Sequence, residues 1–157
     1  MKKSKYLIIS LVLLIIDQIS KYFVMTNIKL NKSIVIIPNF FKLTYTNNHG
    51  AAFSILEGNT ILLIVVSIIA LILIYLFLIK NHKLSSLEIF SYSLLIGGII
   101  GNLIDRILYH YVIDFIHFEI FNYHFPIFNI ADVAIVIGIM IMILIILKED
   151  KNAKNNN

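Results

Sequence analysis

Two aspartates stand in apolar surroundings in the second half of the chain. Asp114 lies in the run YVIDF, and Asp132 lies in the run FNIAD. Few residues separate the two carboxylates, so the chain can bring them together. Two close carboxylates in a water-poor site cannot both ionise, so one serves as acid and the other as base around a shared proton. Such a pair can activate water for peptide hydrolysis without a covalent intermediate.

Asp132 also has a purely structural interpretation. Asn129 precedes it by three residues and can cap a helix that begins at about Ile130. Asp132 would then lie in the first helical turn, where a carboxylate interacts favourably with the helix dipole. The residues alone leave both interpretations open.

Further polar groups interrupt the apolar runs. Asp17 and Lys21 are four residues apart, so they share a helix face and can neutralise each other as a structural ion pair. A charge within a membrane span costs roughly 2.5 to 3.5 kcal/mol, so each one needs a partner or a purpose. Asn102 and Arg106 share a face in the same way, and we expect Asp105 to pair with the adjacent Arg106.

Other hydrolytic chemistries find little support. The chain has no cysteine, no His-Glu-x-x-His helix and no Gly-x-Ser-x-Gly turn. Ser20 and Lys21 are neighbours on a helix and point in different directions. We expect four residues of the segment 109–129 to lie at the membrane interface, with a metal site as the alternative. They are His110, His117, His124 and Glu119.

Composition identifies the class of protein that must position these groups. Of 157 residues, 59% are hydrophobic and only 14% are charged, whereas soluble domains have about 25% charged residues. This excludes an ordinary soluble domain and a disordered chain. Most of the 13 Lys and Arg residues flank apolar runs instead of forming a basic stripe, so we expect no nucleic-acid partner. The sequence predicts an integral membrane α-helical protein.

Four apolar stretches approach the roughly 20 residues that a spanning helix needs. They predict transmembrane helices over residues 6–25, 60–79, 87–108 and 130–147 of a single domain, 1–150, followed by a polar cytoplasmic tail, 151–157, that we expect to be disordered. Lys and Arg concentrate at the two termini and at residues 80–86, so both termini are predicted to face the cytoplasm. The segments 26–59 and 109–129 then lie outside.

The first outer segment, 26–59, is predicted to be β-rich. Residues 34–37 are β-branched and precede Pro38-Asn39, which is a turn signal, and residues 40–45 alternate apolar with polar. Asn47 to Gly50 gives a second turn. The second outer segment, 109–129, is predicted to be a loop. On the third span, Gly97 and Gly101 form a small-residue face that allows close helix packing.

Five short segments in this order resemble the bacterial lipoprotein signal peptidases, also called type II signal peptidases. Singly they are weak signals, but together they cover the chain from the first span to the fourth. The segments are Asp17 to Lys21 (DQISK), Asn48 to Phe53 (NHGAAF), Gly97 to Arg106 (GGIIGNLIDR), Val112 to Phe115 (VIDF) and Phe128 to Asp132 (FNIAD).

The resemblance implies an intramembrane aspartyl endopeptidase of the bacterial cytoplasmic membrane. It would remove the signal peptide from prolipoproteins just before a cysteine that carries diacylglycerol, with its active site toward the outer leaflet and without metal or organic cofactor. By position, Asp114 and Asp132 are the catalytic pair, and Asp17 and Lys21 are supporting residues. Further family positions surround the pair and the substrate: Asn48, Gly50, Asn102, Arg106, Asn129 and Ala131.

The resemblance suggests donor roles for Asn102 and Asn129, toward the substrate backbone or the aspartates. Arg106 could hold a carboxylate or the ester region of the lipid. Membrane lipids are expected partners, and a monomer is the default. Two other classes remain as alternatives. A small transporter would also hold intramembrane charges but usually near the midplane, and a non-enzymatic assembly factor would not need two converging carboxylates.

Overall fold

The computed structural model of the protein describes residues 4–51, 56–81, 83–121 and 123–155. Within them the chain forms helices α1 (Ser4–Asn27), α2 (Thr60–Lys80), α3 (Ser86–Tyr109) and α4 (Ile130–Asn155). Each of these four helices is long and apolar enough to cross a membrane, which confirms the predicted spans. The strands are β1 (Ser33–Ile37), β2 (Phe41–Asn48), β3 (Val112–Ile120) and β4 (Tyr123–His124).

Helix α3 lies at the centre of the bundle. Half of its span is buried inside the protein, whereas only 11% of the α2 span is, so the other helices present most of their surface to lipid. Glycines permit close packing around α3. A Cβ at Gly97 would lie 2.9 Å from the carbonyl oxygen of Ser10 on α1, and one at Gly98 would lie 2.6 Å from that of Ala131 on α4. The predicted face of Gly97 and Gly101 is confirmed and packs on α1, since a Cβ at Gly101 would lie 2.6 Å from Asp17 Oδ2, whereas the contact of Gly98 with α4 was not predicted.

The strands form one antiparallel sheet in the order β1-β2-β3-β4. The predicted turn joins β1 to β2, with Asn39 in the left-handed region at a φ of 58°. The second predicted turn begins later than expected, because β2 continues through Asn48 and the chain bends at Gly50 and Ala51. The loop predicted for 109–129 is wrong, because this segment contains β3 and β4. Its sequence VIDFIHFEI has apolar residues on both faces, so it lacks the alternation that marks a half-buried strand.

An apolar cluster fixes the sheet to the bundle. Val24 and Ile28 at the end of α1 pack against Tyr45 of β2 and against Ile113 and Phe115 of β3. Because Ile113 and Phe115 face this cluster, Asp114 between them points to the opposite face of the sheet. The cluster therefore determines which face carries the carboxylate.

Helix α4 is longer than predicted. It continues to Asn155, so the disorder expected after residue 150 is wrong for residues 151–155. This stretch holds lysines and an alanine, which favour helix, and neither glycine nor proline interrupts it.

Candidate active site

Asp114 is held by two asparagines. It lies on β3 with only 1% of its surface exposed. Its Oδ2 accepts a 2.9 Å hydrogen bond from Asn48 Nδ2, and its Oδ1 accepts a 2.7 Å bond from Asn129 Nδ2. Asn48 can reach it because β2 pairs antiparallel with β3, which sets Thr46 opposite Asp114. The carboxylate is thus fixed from the sheet on one side and from α4 on the other.

Asp132 occupies the first turn of α4 and is half-buried. Its Oδ2 accepts from the backbone N–H of Asn129 at 3.2 Å, while the Asn129 Oδ1 accepts from the Asp132 N–H at 2.9 Å. This reciprocal pair confirms that Asn129 caps the helix. Oδ1 of Asp132 accepts a 2.7 Å bond from Asn102 Nδ2. The capping geometry therefore leaves one oxygen for α3 and does not compete with the catalytic interpretation.

The two aspartates line one cavity of about 730 Å³. Asn129 Nδ2 also lies 3.2 Å from Asn102 Oδ1, so a continuous set of hydrogen bonds runs from Asp114 to Asp132. Asn48 and Arg106 add polar atoms to the wall. The rest of the wall is largely apolar and is supplied by α2, α3, α4 and the 125–128 segment, including Leu63, Val66, Ile99, Phe128 and Val136.

Electrostatics favour a shared proton in this cavity. Burial, and then the negative charge of Asp132, raises the pKa of Asp114 to about 7. The hydrogen bonds from Asn48 and Asn129 and the positive charge of Lys21 act in the opposite direction, but they do not cancel the rise. Asp114 therefore keeps a proton up to neutral pH.

Arg106 and Asp105 point in different directions from α3. Nη2 of Arg106 donates to the carbonyl oxygen of Gly50 at 2.9 Å, and Asn48 Oδ1 accepts from the Gly50 N–H. The expected Asp105–Arg106 pair is wrong, because Asp105 instead bonds Lys21 at 2.9 Å. Consecutive helix residues diverge by about 100°. Arg106 consequently faces the cavity and Asp105 faces α1.

The predicted ion pair of Asp17 and Lys21 is confirmed, with 2.8 Å between Oδ2 and Nζ. Asp17 Oδ1 also accepts the backbone N–H of Ala131 at 2.9 Å. Ala131 is fully buried at this contact, so it supports the site through its backbone. Asp105 in turn accepts the N–H of Ile113 on β3. The buried charges thus attach α1 to both segments that carry the aspartates.

Gln18 contacts the buried charges Asp17 and Asp105, and the sequence alone did not single it out. Its Nε2 bonds Asp105 Oδ1 at 3.0 Å and lies 3.2 Å from both Asp17 Oδ2 and the carbonyl oxygen of Gly101. The available signal was its place beside Asp17 in an apolar span.

His117 and Glu119, two of the residues considered as metal ligands, make contacts between strands of the sheet. His117 Nδ1 is 3.0 Å from Thr44 Oγ1, and Glu119 forms an ion pair with Lys42. Among the described residues no three His, Cys, Asp or Glu side chains are arranged to hold a metal ion.

Four membrane-spanning helices around a cavity with two bridged carboxylates define a class, the membrane-embedded enzymes with paired acidic groups. The chain matches the family model described as signal peptidase (SPase) II over residues 9–148. The chain belongs to the signal peptidase II family, and it is a peptidase of the aspartic type.

Similar proteins agree with this assignment. A lipoprotein signal peptidase of Staphylococcus aureus is 40% identical over 149 residues, which cover 95% of this chain and 91% of that protein. Its counterpart in strain Newman is 40% identical over 148 residues. A solved structure described as a bacterial membrane enzyme at 2.3 Å resolution has a TM-score of 0.89 and 39% identity, and it covers 95% of this chain and 91% of its own. A second, at 1.9 Å, has a TM-score of 0.84 and covers 92% and 94%.

Proposed function

We propose that this protein removes the signal peptide from prolipoproteins by cutting just before a diacylglyceryl-modified cysteine, with Asp114 and Asp132 as the catalytic dyad. One observation carries the assignment of the dyad. The two carboxylates line the same cavity and are connected through Asn129 and Asn102. The names of the similar proteins support the substrate class.

The reaction needs one proton on the dyad. One carboxylate takes a proton from water, whose oxygen attacks the scissile carbonyl carbon, while the protonated partner donates to the carbonyl oxygen. The resulting tetrahedral species collapses when its C–N bond breaks and the leaving nitrogen takes a proton from the dyad. The products are a carboxyl group on the signal peptide and a free amine on the cysteine.

The asparagines preorganise the dyad. Each of its four carboxylate oxygens accepts one N–H, from Asn48, from the side chain and backbone of Asn129, and from Asn102. Each oxygen keeps further acceptor capacity for water or a proton. Charge-assisted hydrogen bonds of this kind hold side chains in place before the substrate arrives.

The surroundings suit a lipid-linked substrate. Helices α2 and α4 give the cavity apolar walls within the membrane, so acyl chains can stay in lipid while the peptide bond reaches the dyad. Both termini would face the cytoplasm, because Lys80 at the end of α2, Lys83 in the link to α3 and Lys148 in the last part of α4 lie away from the sheet. The active site would then face the outer leaflet of the bacterial cytoplasmic membrane. Arg106 lines the cavity and can contact the ester region. The monomer suffices, since the dyad comes from one chain.

Cleavage of a defined substrate tests the proposal. The purified protein in detergent is given a prolipoprotein with and without diacylglycerol on its cysteine. We expect the wild type to cut only the lipidated form, and Asp114→Asn and Asp132→Asn to fold but not cut. Glu149→Gln is the matched control, since it makes the same change at an exposed position of α4. Cleavage by either dyad variant refutes the aspartyl mechanism, and a wild type that cuts neither substrate refutes the proposed substrate.

A further inference from the structure

Lys21 uses all three of its N–H donors inside the protein. Only 1% of its surface is exposed. Its Nζ lies 2.8 Å from Asp17 Oδ2, 2.9 Å from Asp105 Oδ2 and 3.0 Å from Asn102 Oδ1. An ammonium group has three N–H bonds and no acceptor, so this set is complete. Two of the partners neutralise its charge. The third is a neutral amide that also contacts Asp132.

The contacts with Lys21 and Asn129 fix which way the Asn102 amide points, and the contact with Lys21 is the shorter of the two. An ammonium cannot accept a hydrogen bond, so only the carbonyl oxygen of Asn102 can face it. Asn129 Nδ2 donates to the same oxygen at 3.2 Å. The Nδ2 group of Asn102 must then point the other way, where it donates to Asp132 Oδ1 at 2.7 Å. A flipped amide would set donor against donor at Lys21 and acceptor against acceptor at Asp132.

We propose that Lys21 is a positioning residue for the dyad, which locks the Asn102 amide in the orientation that holds Asp132 in its reactive position. Lys21 itself does not line the cavity, because Asn102 stands between it and the dyad. The assignment rests on the proposed catalytic function of Asp132.

A single substitution of Lys21 is a poor test. It would leave Asp17 and Asp105 buried without their cation, and a buried uncompensated charge can unfold the protein. Two charge-matched variants lower this cost, because each leaves one buried carboxylate without the cation instead of two: Lys21→Met with Asp105→Asn and Lys21→Met with Asp17→Asn. Each variant removes one positive and one negative charge, so the net charge of the group formed by Asp17, Lys21 and Asp105 stays the same.

The test measures kcat and KM for a lipidated prolipoprotein. We expect at least one charge-matched variant to fold and to lose about 10- to 100-fold in kcat, the range for a hydrogen bond to a charged group, with KM within about 2-fold. Asn102→Leu should lose as much, and the combination should lose no more, because Lys21 acts through Asn102. Ser10→Ala, which removes a buried contact between α1 and α3 distant from the cavity, is the control and should keep kcat.

Several results would overturn the assignment. Losses that multiply in the combined variant would show that Lys21 acts independently of Asn102. A change confined to KM, or an equal loss in Ser10→Ala, would reduce Lys21 to a packing role. If neither charge-matched variant folds, Lys21 is a folding residue and the assignment is withdrawn. Failure of the wild type to cut, or cutting by the dyad variants, would instead refute the proposed function.

Discussion

The packing of α3 on α4 at Gly98 predicts a loss of activity caused by a displacement of about half an ångström. In Gly98→Ala, the new methyl would lie 2.6 Å from the carbonyl oxygen of Ala131 and 2.8 Å from Ile135 Cγ1. The carbonyl belongs to helix backbone and cannot rotate away. A real Cβ does not approach another atom within 3.0 Å and prefers roughly 3.5 Å, so the start of α4 must retreat by about 0.4 Å at least and by about 0.9 Å for an unstrained contact.

Asp132 follows Ala131 directly and moves with it. Its 2.7 Å bond to Asn102 on α3 would stretch toward the roughly 3.2 Å limit of a good N–H···O bond. A misplacement of 1 Å at a catalytic group costs about 100-fold in rate, so we expect kcat to fall by about 10- to 100-fold. Overpacking should also lower the free energy of unfolding by about 1–3 kcal/mol. The assay is cleavage of a lipidated prolipoprotein per folded molecule, together with thermal unfolding in detergent.

Gly138→Ala separates displacement at the site from overpacking in general. Gly138 packs on the same helix pair, where a Cβ would lie 2.9 Å from Leu95 Cγ and 3.1 Å from the carbonyl oxygen of Ser91. It lies nearly two turns further along α4 from Asp132. We expect this variant to be destabilised similarly but to keep its kcat. Equal kcat in the two variants would refute the reasoning.

Two further predictions concern the sheet. Because Asp114 keeps the shared proton until its pKa of about 7, cleavage should fall as pH rises through about 7. Asn48→Ala removes a hydrogen bond that lowers the pKa of Asp114, so the loss of cleavage should move to higher pH. A pH–rate profile that is unchanged or moves to lower pH would contradict the assignment of Asp114 as the group that holds the proton. Ile113→Ala should lower the free energy of unfolding by about 2–5 kcal/mol, because Ile113 is only 1% exposed in the cluster that holds the sheet. Thermal unfolding measures this, and an unchanged midpoint would show that the cluster does not stabilise the fold.

The sequence predicted the features that depend on local pattern. Apolar length predicted the four spans, and the four-residue spacing of Asp17 and Lys21 predicted their ion pair. The Pro38-Asn39 signal predicted the turn between β1 and β2. Each of these rests on the geometry of one element, which composition and periodicity reveal directly.

The missed features depend on contacts between distant segments. β3 became a strand because β2 offers it an edge and α1 covers Ile113 and Phe115. Asp105 seemed to belong with Arg106 because the two are adjacent, but only the placement of α1 shows that its partner is Lys21. Local sequence cannot supply such choices, since the partner is determined by tertiary packing.

Helix α2 shapes the cavity but does not hold the two aspartates. It packs mainly on α3 and contributes Leu63, Val66 and Ser67 to the cavity wall, but none of the groups that hold the dyad. Substitutions along this wall would change the shape of the cavity, while the groups that contact Asp114 and Asp132 belong to α3, to the sheet and to the start of α4. On the proposed mechanism, substitutions in this one helix would change which signal sequences fit the cavity without removing any group that holds the dyad.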